Sequence, residues 1–432
     1  MERQYKDSGI EWIGRIPEEW KTSIMSTLFY EHCCKNEGLK ESNLLSLSFG
    51  KIIRKNINEN GGLLPESFEG YNIIDANDIV FRLTDLQNDK RSLRTGLCKE
   101  RGIITSAYTT VRGRNNSIDY RYFHYLFHSC DECKIFYGIG NGVRQSMNFQ
   151  DLRKLQIVIP PLPEQQSIAS YLDKKCGEID ELIALQEKMI AQLTEYKQAV
   201  ITEAVTKGLD PNAKLVPSGI EWIGDVPEGW KVVPLRYLGR TQNGISQSGD
   251  YFGEGYPFVS YSDVYKNYSL PVQVKGLAKS SAKDQELFSV QAGDVFFTRT
   301  SETIEEIGFS SVCLTTIDNA VFAGFLIRFR PYKNALINKD FSMYYFRCNI
   351  HRAFFVKEMN LVIRASLSQE LLKSLPVILP PLPDQQRIAT YLDTKCSEID
   401  TLIALKRQKI ESLNAYKKSV IYEAVTGKTI IE

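Results

Sequence analysis

The feature that most constrains this chain is a long segment that occurs twice. PPLPEQQSIASYLDKKCGEID begins at Pro160 and PPLPDQQRIATYLDTKCSEID begins at Pro380, and 30 of the 47 positions that align from these two prolines are identical. A second repeat lies upstream, where SGIEWIG opens both Ser8–Trp20 and Ser218–Trp230. The segments between the shared blocks hardly match. A shared head, a variable body and a shared helix, each present twice, indicate one scaffold that displays two different recognition surfaces.

The repeated segment has the pattern of a long amphipathic helix. Pro163 suits a first helical position, and Gly208 and Gly427 supply a stop signal at the other end. Apolar residues recur at spacings of three and four, which is typical of a coiled-coil seam. At about 1.5 Å per residue, Glu178–Thr206 would span roughly 40 Å. The predicted seam positions are Ile179, Ile183, Ile190, Leu193, Val200 and Ala204 in the first copy, and Ile399, Ile403, Ile410, Leu413, Val420 and Ala424 in the second.

Two nearly identical apolar stripes in one chain are most simply buried against each other. We therefore predict that the two helices pack as an antiparallel pair. Lys197 and Lys417 occupy polar positions within the seam, and such interruptions lower stability but can fix register and partner choice. A helix pair of this kind would act as a rigid spacer between the two bodies.

The two bodies, residues 21–150 and 231–370, combine strand and helix signals. The predicted strands are Leu44–Leu47, Ile73–Phe81, Ile103–Val111, Val290–Phe297 and Val321–Phe329, and the predicted aromatic-rich helices are Tyr120–Cys133 and Lys339–Phe355. The fold class that follows is α+β, with two mixed α/β domains separated by a pair of long antiparallel helices and a pseudo-twofold internal repeat. The predicted boundaries are 1–159, 160–210, 211–379 and 380–432.

Composition narrows the class of protein. The 432-residue chain is 43% hydrophobic and 24% charged, which is typical of a globular protein with a proper core. It has no run of about 18 apolar residues and no apolar signal core at its start, so we expect a cytoplasmic protein without a membrane span. Nine cysteines fit reduced thiols better than a disulfide framework. The net charge is +1, so charge alone neither proves nor excludes a nucleic-acid partner.

The sequence carries no convincing catalytic motif. It has no Asn/Asp-Pro-Pro-aromatic tetrapeptide of an amino-methyltransferase, and its two Pro-Pro pairs follow apolar residues. Four histidines leave little material for general acid–base catalysis. A HxxxHxCxxC pattern would place its four side chains around one helix rather than together, which does not suit a zinc site. We therefore predict no catalytic and no metal-binding residue. That pattern consists of His124, His128, Cys130 and Cys133.

Three shared blocks recur in the same order in both halves: SGIEWIGxxPExW, then Asn/Gly-Asp before an apolar strand, then PPLPxQQxIAxYLD. This layout resembles the specificity subunit of a type I restriction-modification system over nearly the full chain. The resemblance implies that the bodies are two target recognition domains, each reading one half of a split DNA sequence, and that the paired helices set the gap between the halves.

The same resemblance implies partners for the chain. The specificity subunit is non-catalytic and docks two modification subunits, which bind S-adenosylmethionine and methylate adenine. Restriction subunits, which use ATP and Mg to cleave DNA, join that core. The expected partners are therefore double-stranded DNA and these subunits, with no membrane, and no cofactor is expected on this chain.

Polar clusters at the ends of predicted strands are the candidate DNA contacts. Arg and Lys side chains position a protein on phosphates, while Arg, Asn, Gln, Ser and Thr read base edges. Arg144 and Arg364 coincide when the two copies are aligned. The candidates in the first body are Lys51, Arg54, Lys55, Asn56, Lys90, Arg91, Arg94, Arg112, Arg114, Asn115 and Arg144. Those in the second body are Ser260, Tyr261, Lys266, Thr298, Arg299, Thr300, Ser301 and Arg364.

Two other readings of the sequence stay open. The chain could be a methyltransferase or nuclease with degenerate motifs, although the missing tetrapeptide counts against this reading. It could also be an assembly scaffold whose bodies bind protein instead of DNA, which the modest charge allows. Sequence preference among random duplexes, measured with the modification subunit present, distinguishes a recognition subunit from an assembly scaffold.

Overall fold

The structure is a computed structural model that describes residues 3–56, 65, 67–86, 93–138, 146–301, 306–358 and 365–431. The chain packs as two compact units. Unit 1 consists of Met1–Glu187 and Arg407–Glu432, and unit 2 consists of Lys188–Lys406. Each unit therefore contains one head, one body and a part of each long helix.

Unit 1 starts with the first head and continues through the first body into a long helix. Its strands are β1 (Tyr5–Asp7), β2 (Arg15–Pro17), β3 (Lys21–Ile24), β4 (Phe29–Glu31), β5 (Leu45–Ser48), β6 (Lys51–Arg54), β7 (Asn72–Ile74), β8 (Ile79–Phe81), β9 (Thr95–Leu97), β10 (Gly102–Ile104), β11 (Thr109–Gly113) and β12 (Gln156–Ile159). Its helices are α1 (Tyr120–Glu132), α2 (Phe149–Leu152) and the first part of α3 (Leu162–Lys207).

Unit 2 repeats this order with a different body. Its strands are β13 (Leu215–Pro217), β14 (Asp225–Pro227), β15 (Lys231–Pro234), β16 (Gly239–Asn243), β17 (Phe252–Val259), β18 (Gly276–Ala278), β19 (Val295–Thr298), β20 (Thr300–Ser301), β21 (Ser310–Val312), β22 (Val321–Phe322), β23 (Leu326–Pro331), β24 (Ala365–Ser366) and β25 (Pro376–Leu379). Its helices are α4 (Tyr261–Lys266), α5 (Ala282–Leu287), α6 (Lys339–Tyr345), α7 (His351–Glu358), α8 (Gln369–Ser374) and the first part of α9 (Leu382–Val425).

The two bodies build the same central sheet from different sequences. The strand order is β4-β11-β8-β9 in unit 1 and β16-β23-β19-β21 in unit 2, and every neighbouring pair is antiparallel. Aromatic rings fill the core beside each sheet. Phe81 on β8 lies against Phe127 on α1, and Phe297 on β19 lies against Phe346 at the end of α6. The internal repeat therefore extends into the bodies, where sequence identity is lost.

A turn with a positive φ precedes the central strand in both bodies. Asn77 has a φ of 74° and Gly293 a φ of 91°, a conformation that Gly and Asn adopt more readily than other residues. The following residue, Asp78 or Asp294, is buried, and its carboxylate accepts the backbone N–H three residues upstream at 2.8 Å. The matched Asn-Asp and Gly-Asp pairs therefore have a structural explanation.

Each of these buried carboxylates binds an arginine from the neighbouring strand. Arg112 on β11 donates hydrogen bonds of 2.7 Å to Asp78 and one of 2.8 Å to Asp75. Arg330 on β23 donates two hydrogen bonds of 2.6 Å to Asp294. The hydrogen bonds that Arg112 donates to Asp78 raise the pKa of its guanidinium. Arg112, which the sequence predicts as a DNA contact, thus has a structural role that its counterpart shares.

The two long helices pack antiparallel within each unit, as predicted. In unit 2, Lys197 of α3 binds Asp400 of α9 at 2.7 Å, and in unit 1, Lys417 of α9 binds Asp180 of α3 at 2.7 Å. The end of each helix shares a core with the start of the other. Every predicted seam position is buried or half-buried. The predicted fold class is confirmed, and no described helix has the length and apolarity needed to cross a membrane.

A buried glutamine joins the start of each long helix to its body. The side-chain amide of Gln165 donates to the first carbonyl of Pro-Pro-Leu-Pro and its oxygen accepts the backbone N–H of Asp119, both at 2.8 Å. Gln385 makes the same two bonds, at 2.8 Å to its own proline carbonyl and 2.7 Å from Asn338. Asp119 and Asn338 are the N-caps of α1 and α6. The repeated PPLPxQQ motif therefore fixes each body helix to a long helix.

Each head ends in a tryptophan that packs on the end of a long helix. Gly427 and Gly208 have positive φ values, and a Cβ on them would lie 3.1 Å from the Trp20 ring and 3.2 Å from the Trp230 ring, respectively. Trp20 is buried, and its indole N–H donates to Glu164 at 2.8 Å. Trp230 is half-buried. The tryptophan of the first head is therefore more deeply buried than that of the second.

Several predicted elements are shorter in the structure. Three apolar runs predicted as single strands are each divided in two, because a hydrogen-bonded turn interrupts the run. The predicted helix Lys339–Phe355 is divided into α6 and α7, whereas Tyr120–Cys133 is confirmed as α1. The divided runs are Ile73–Phe81, Ile103–Val111 and Val321–Phe329, with turns at Asp75–Asp78, Thr105–Tyr108 and Ala323–Leu326.

Candidate functional site

One edge of the first body begins with an exposed hairpin tip. β5 and β6 are joined by the two-residue turn Phe49-Gly50, in which both φ angles are positive, at 45° and 76°. A Cβ built on Gly50 would lie 3.1 Å from the Leu93 side chain, so the hairpin tip packs against Leu93. Lys51, a predicted DNA contact, is exposed at the start of β6. The hairpin tip therefore meets the chain at Leu93, just before β9.

The Arg94 side chain points into the protein and binds the residues that follow β8. Its side chain is fully buried at 0% exposure. The guanidinium donates to the carbonyls of Thr84 at 2.8 Å and Asp85 at 3.2 Å, and its Nε donates to the hydroxyl of Tyr137 at 3.1 Å. The sequence predicts Arg94 as a DNA contact, but the structure buries it, because the loop ends need a donor for their carbonyls.

Tyr137 and Met147 contact the same edge. The backbone N–H of Met147 donates to the carbonyl of Leu83 at 2.9 Å, and the hydroxyl of Tyr137 accepts a hydrogen bond from Arg94. We call the residues 49–51, 82–86, 93–94, 137–138 and 146–147 the first edge. The predicted contacts Lys90, Arg91 and Arg144 lie outside the described residues.

The second body has an edge of the same construction. The N–H of Leu367 donates to the carbonyl of Arg299 at 2.7 Å, which matches the Met147–Leu83 bond, and β20 pairs with β24. We call the residues 298–301, 306–309, 324–326 and 365–367 the second edge. The predicted Thr298–Ser301 cluster lies on this edge, and Arg364 lies outside the described residues. Arg299 and Thr300 are half-buried, whereas Thr298 is buried at 0% exposure and has no surface to offer.

The remaining candidates of the first body lie away from the first edge or are already engaged. Arg54, at the other end of β6, forms an ion pair with Glu100. Lys55 and Asn56 follow it and are exposed. Arg114 is exposed after β11 and donates to the Ser26 carbonyl at 3.0 Å, with Asn115 exposed beside it.

The Ser260–Lys266 candidates of the second body form a short capped helix. Ser260 is the N-cap of α4 and exchanges hydrogen bonds with Asp263, so its side chain serves the helix end. Tyr261 is half-buried and stacks on Tyr265 at a centroid distance of 5.8 Å. Lys266 is exposed. Within this group, Lys266 is the side chain best placed to reach a partner.

Two exposed phenylalanines on the edges are not among the residues predicted from the sequence, because the sequence argument assigns aromatic residues mainly to the core. Phe49 is 80% exposed at the hairpin tip of the first edge. Phe325 is 63% exposed on the second edge, and its carbonyl accepts the N–H of Arg299 at 2.9 Å. The signal that could have found Phe49 is its position before a glycine between two short strands, which is a hairpin turn pattern.

A second candidate surface lies on the outer faces of the long helices. Exposed leucines and tyrosines occur there at matching places of the two repeats, away from the seam. Unit 1 contributes two leucines from α3 and a tyrosine from α9. Unit 2 contributes two leucines from α9 and a tyrosine from α3. The first set is Leu182, Leu185 and Tyr416, and the second is Leu402, Leu405 and Tyr196.

Neither histidine-containing cluster has the arrangement of a metal centre. His124 lies on α1, where burial lowers its pKa to about 3, and its ring lies 6.3 Å from that of His128. His32, Asp75 and Asp78 place possible ligand atoms within 4.8 Å of one another, but the Arg112 guanidinium already binds both carboxylates. This second group is part of the ion-pair network of the sheet.

Both bodies match the same known domain. The family model described as the type I restriction modification DNA specificity domain matches residues 50–195 and again residues 227–415, which together exceed half of the chain. This chain belongs to that family. The two matches contain most of both bodies and reach far into both long helices, and they confirm the resemblance seen in the three shared blocks.

Related proteins and structures agree with this membership. The chain is 30% identical over 329 residues to a protein assigned as the MjaX type I restriction enzyme specificity subunit of Methanocaldococcus jannaschii, over 74% of this chain and 70% of that protein. It is 26% identical over 282 residues to the EcoKI specificity subunit of Escherichia coli K12, over 63% of this chain and 58% of that protein. A chain from a structural study of a type I restriction-modification system, at 15% identity, superposes with a TM-score of 0.69 over 96% of this chain and 99% of that chain, which supports the fold.

Proposed function

We propose that this chain is the non-catalytic DNA-recognition subunit of a type I restriction-modification complex. Each body reads one half of a bipartite target in double-stranded cytoplasmic DNA, and the paired helices hold the two bodies at a fixed spacing. The observation that carries the proposal is that one family domain occurs twice on one scaffold, with different residues on its two edges.

The edges have the chemistry that DNA reading requires. The first edge presents Lys51, and the second edge presents the half-buried Arg299 and Thr300. A lysine can bind a phosphate, whereas arginine and threonine can also reach base edges in a groove. Because these side chains differ between two otherwise equivalent edges, each edge is suited to a different half of the target.

The repeated leucine and tyrosine sets support docking of two modification subunits. Exposed apolar residues that recur at equivalent places offer two similar surfaces to two copies of one partner. In this proposal the modification subunits carry S-adenosylmethionine, the restriction subunits carry ATP and Mg, and this chain binds none of them.

A selection experiment tests DNA reading. The chain is assembled with the modification subunit of its own system and incubated with duplexes of random sequence, and the bound fraction is sequenced. We expect two short defined segments separated by a gap of constant length. A bound fraction without any preferred sequence would support the assembly scaffold and contradict the proposal.

Exchange of one body should change one half of the target. If residues 21–150 are replaced by the corresponding body of another family member, we expect the repeated selection to return one new and one unchanged segment. The reason is that each body has its own sheet and core within its unit. A change in both segments would show that the bodies do not read independently.

The outer helix faces give a prediction for assembly. Leu185→Glu places a charge on the leucine set of unit 1, and Leu405→Glu does so in unit 2. We expect each single substitution to leave one modification subunit bound and the double substitution to leave none, as measured by native mass spectrometry. Gln192→Glu adds a charge at another exposed position of α3 and should leave both bound. If the double variant still binds two modification subunits, the docking surface lies elsewhere on the chain and the prediction is wrong.

A further inference from the structure

Each edge carries one phenyl ring that the fold does not use. Phe49 is 80% and Phe325 is 63% exposed, so neither ring contributes to a core. Exposed aromatic side chains are common singly on protein surfaces. These two come from different turns of their bodies, but each lies beside a basic candidate: Phe49 is two residues before the exposed Lys51, and the Phe325 carbonyl accepts the N–H of Arg299. The coincidence in two unrelated body sequences calls for a shared role.

The backbone at Phe49 makes that residue an unfavourable choice for the turn. A two-residue hairpin turn with positive φ at both positions strongly prefers Asn-Gly, Asp-Gly or Gly-Gly. Phe49 adopts a φ of 45°, which is an outlier for a bulky side chain. Residues in such conformations concentrate at binding and catalytic sites, where function maintains them. The turn therefore presents the phenyl ring at the expense of local stability.

The turn that carries Phe325 is fixed by close backbone packing. A Cβ on Gly324 would lie 2.9 Å from the backbone carbonyl oxygen of Ile245, so no side chain fits at that position without a shift of the backbone. The next residue, Phe325, accepts the N–H of Arg299 at 2.9 Å. The ring is thus held beside the Thr298–Ser301 cluster in a position that the fold specifies, even though the ring itself is exposed.

We infer that Phe49 and Phe325 are the apolar base contacts of the two half-sites, one for each body. This inference deepens the proposed function and rests on it. A phenyl ring entering a groove can pack on a thymine methyl group or wedge against a base step, contacts that water-exposed lysine and arginine cannot make. Lys51 beside Phe49 and Arg299 beside Phe325 would bind the adjacent phosphates and set the depth of each ring.

Phe49→Asn separates this role from folding. Asparagine suits the positive φ, so the variant should unfold at the same or a higher temperature than the original chain. We expect the complex with modification subunits to bind its selected duplex about 10-fold more weakly, because contact between an aromatic ring and a base is lost. Repeated selection should lose preference at positions of one half-site. A variant that binds with unchanged affinity and unchanged preference would overturn the inference.

Leu39→Asn is the matched control in the same unit. Leu39 is 57% exposed and has a φ of 51°, so this substitution also replaces an exposed apolar residue in a strained conformation with asparagine. Leu39 lies before β5 and outside the first edge. We expect its DNA affinity and selected sequence to match those of the original chain. Equal weakening by both substitutions would show a general surface effect and contradict the inference.

Phe325→Ala should have the same effect on the other half-site. Its control is Tyr237→Ala, since Tyr237 is 70% exposed but precedes β16 at the opposite end of the β16–β23 ladder. If the unsubstituted complex shows no sequence preference, the proposed function itself fails. If it shows a preference that Phe325→Ala leaves intact, or if Phe325→Ala abolishes binding of modification subunits instead, the proposed function stands and the inference fails.

Discussion

Replacement of Trp20 by alanine is expected to destabilise unit 1 by about 3–5 kcal/mol, the range for removal of a large buried aromatic side chain. Trp20 is buried where the first head meets the end of α9, and its indole N–H donates to Glu164 at 2.8 Å. Its ring also meets Tyr122 edge-on at 6.5 Å. Removal of the ring leaves a cavity and takes one hydrogen-bond donor from Glu164, which keeps its ion pair with Arg3 at 2.5 Å. Calorimetry of the full chain should show the transition of unit 1 shifted down by on the order of 10 °C.

The second copy of the head supplies the control. Trp230 is the equivalent residue of unit 2, but it is half-buried. The residue at the position of Glu164 is Asp384, whose shorter side chain instead binds Arg387. We expect Trp230→Ala to lower the unfolding free energy of unit 2 by less than Trp20→Ala lowers that of unit 1. Equal losses would show that the two heads are energetically alike and that burial does not decide the difference.

Asp294→Asn is expected to destabilise unit 2 by about 3–5 kcal/mol, because it leaves a largely buried arginine without its counter-ion. Asp294 is buried, accepts two hydrogen bonds of 2.6 Å from Arg330 and also accepts the N–H of Gln291 at 2.8 Å. An asparagine can keep the shape but not the charge. The expected measurement is a lower midpoint for unit 2 in urea or heat, with DNA selection repeated at a permissive temperature.

Two further substitutions decide whether the buried charge is the cause. Asp78→Asn removes the equivalent carboxylate of unit 1, but Arg112 retains Asp75 at 2.8 Å, so we expect a smaller loss. Glu370→Gln removes an exposed carboxylate that pairs with Lys373, and exposed pairs contribute little to stability because water screens them. A loss from Glu370→Gln as large as that from Asp294→Asn would contradict the explanation.

The helix pair could be predicted from the sequence because its pattern is long and repeated. Seam positions at spacings of three and four occur in both copies, and the same interrupting lysines, Lys197 and Lys417, turn out to bind acidic residues of the other helix. The acidic partners could not be predicted, because their identification requires the antiparallel register. The ends of the strands could not be predicted either. Apolar runs such as Ile73–Phe81 continue through turns, and this turn depends on a buried carboxylate.

The candidate DNA contacts were harder to predict for a related reason. A basic residue after a strand has the same sequence signature whether it faces solvent or caps carbonyls inside a loop. Arg94 caps carbonyls in this way, whereas Arg112 binds the carboxylates of Asp75 and Asp78, and the sequence pattern does not show either set of partners. Thr298 lies within a polar cluster of the sequence, yet the strand direction turns its side chain into the core. Conversely, Phe49 is apolar in sequence and exposed in the structure.

The crossed lysine–aspartate pairs make the helix seam self-complementary. Lys197 and Asp180 of the first copy correspond to Lys417 and Asp400 of the second, and each lysine binds the aspartate of the other copy. A shorter polypeptide with a single copy would contain both halves of the pair. Two such molecules could therefore join through the same contacts as a symmetric dimer. Such a dimer would present two identical recognition domains and would select a palindromic DNA target. The duplicated chain has two different recognition domains and can therefore select two different half-sites.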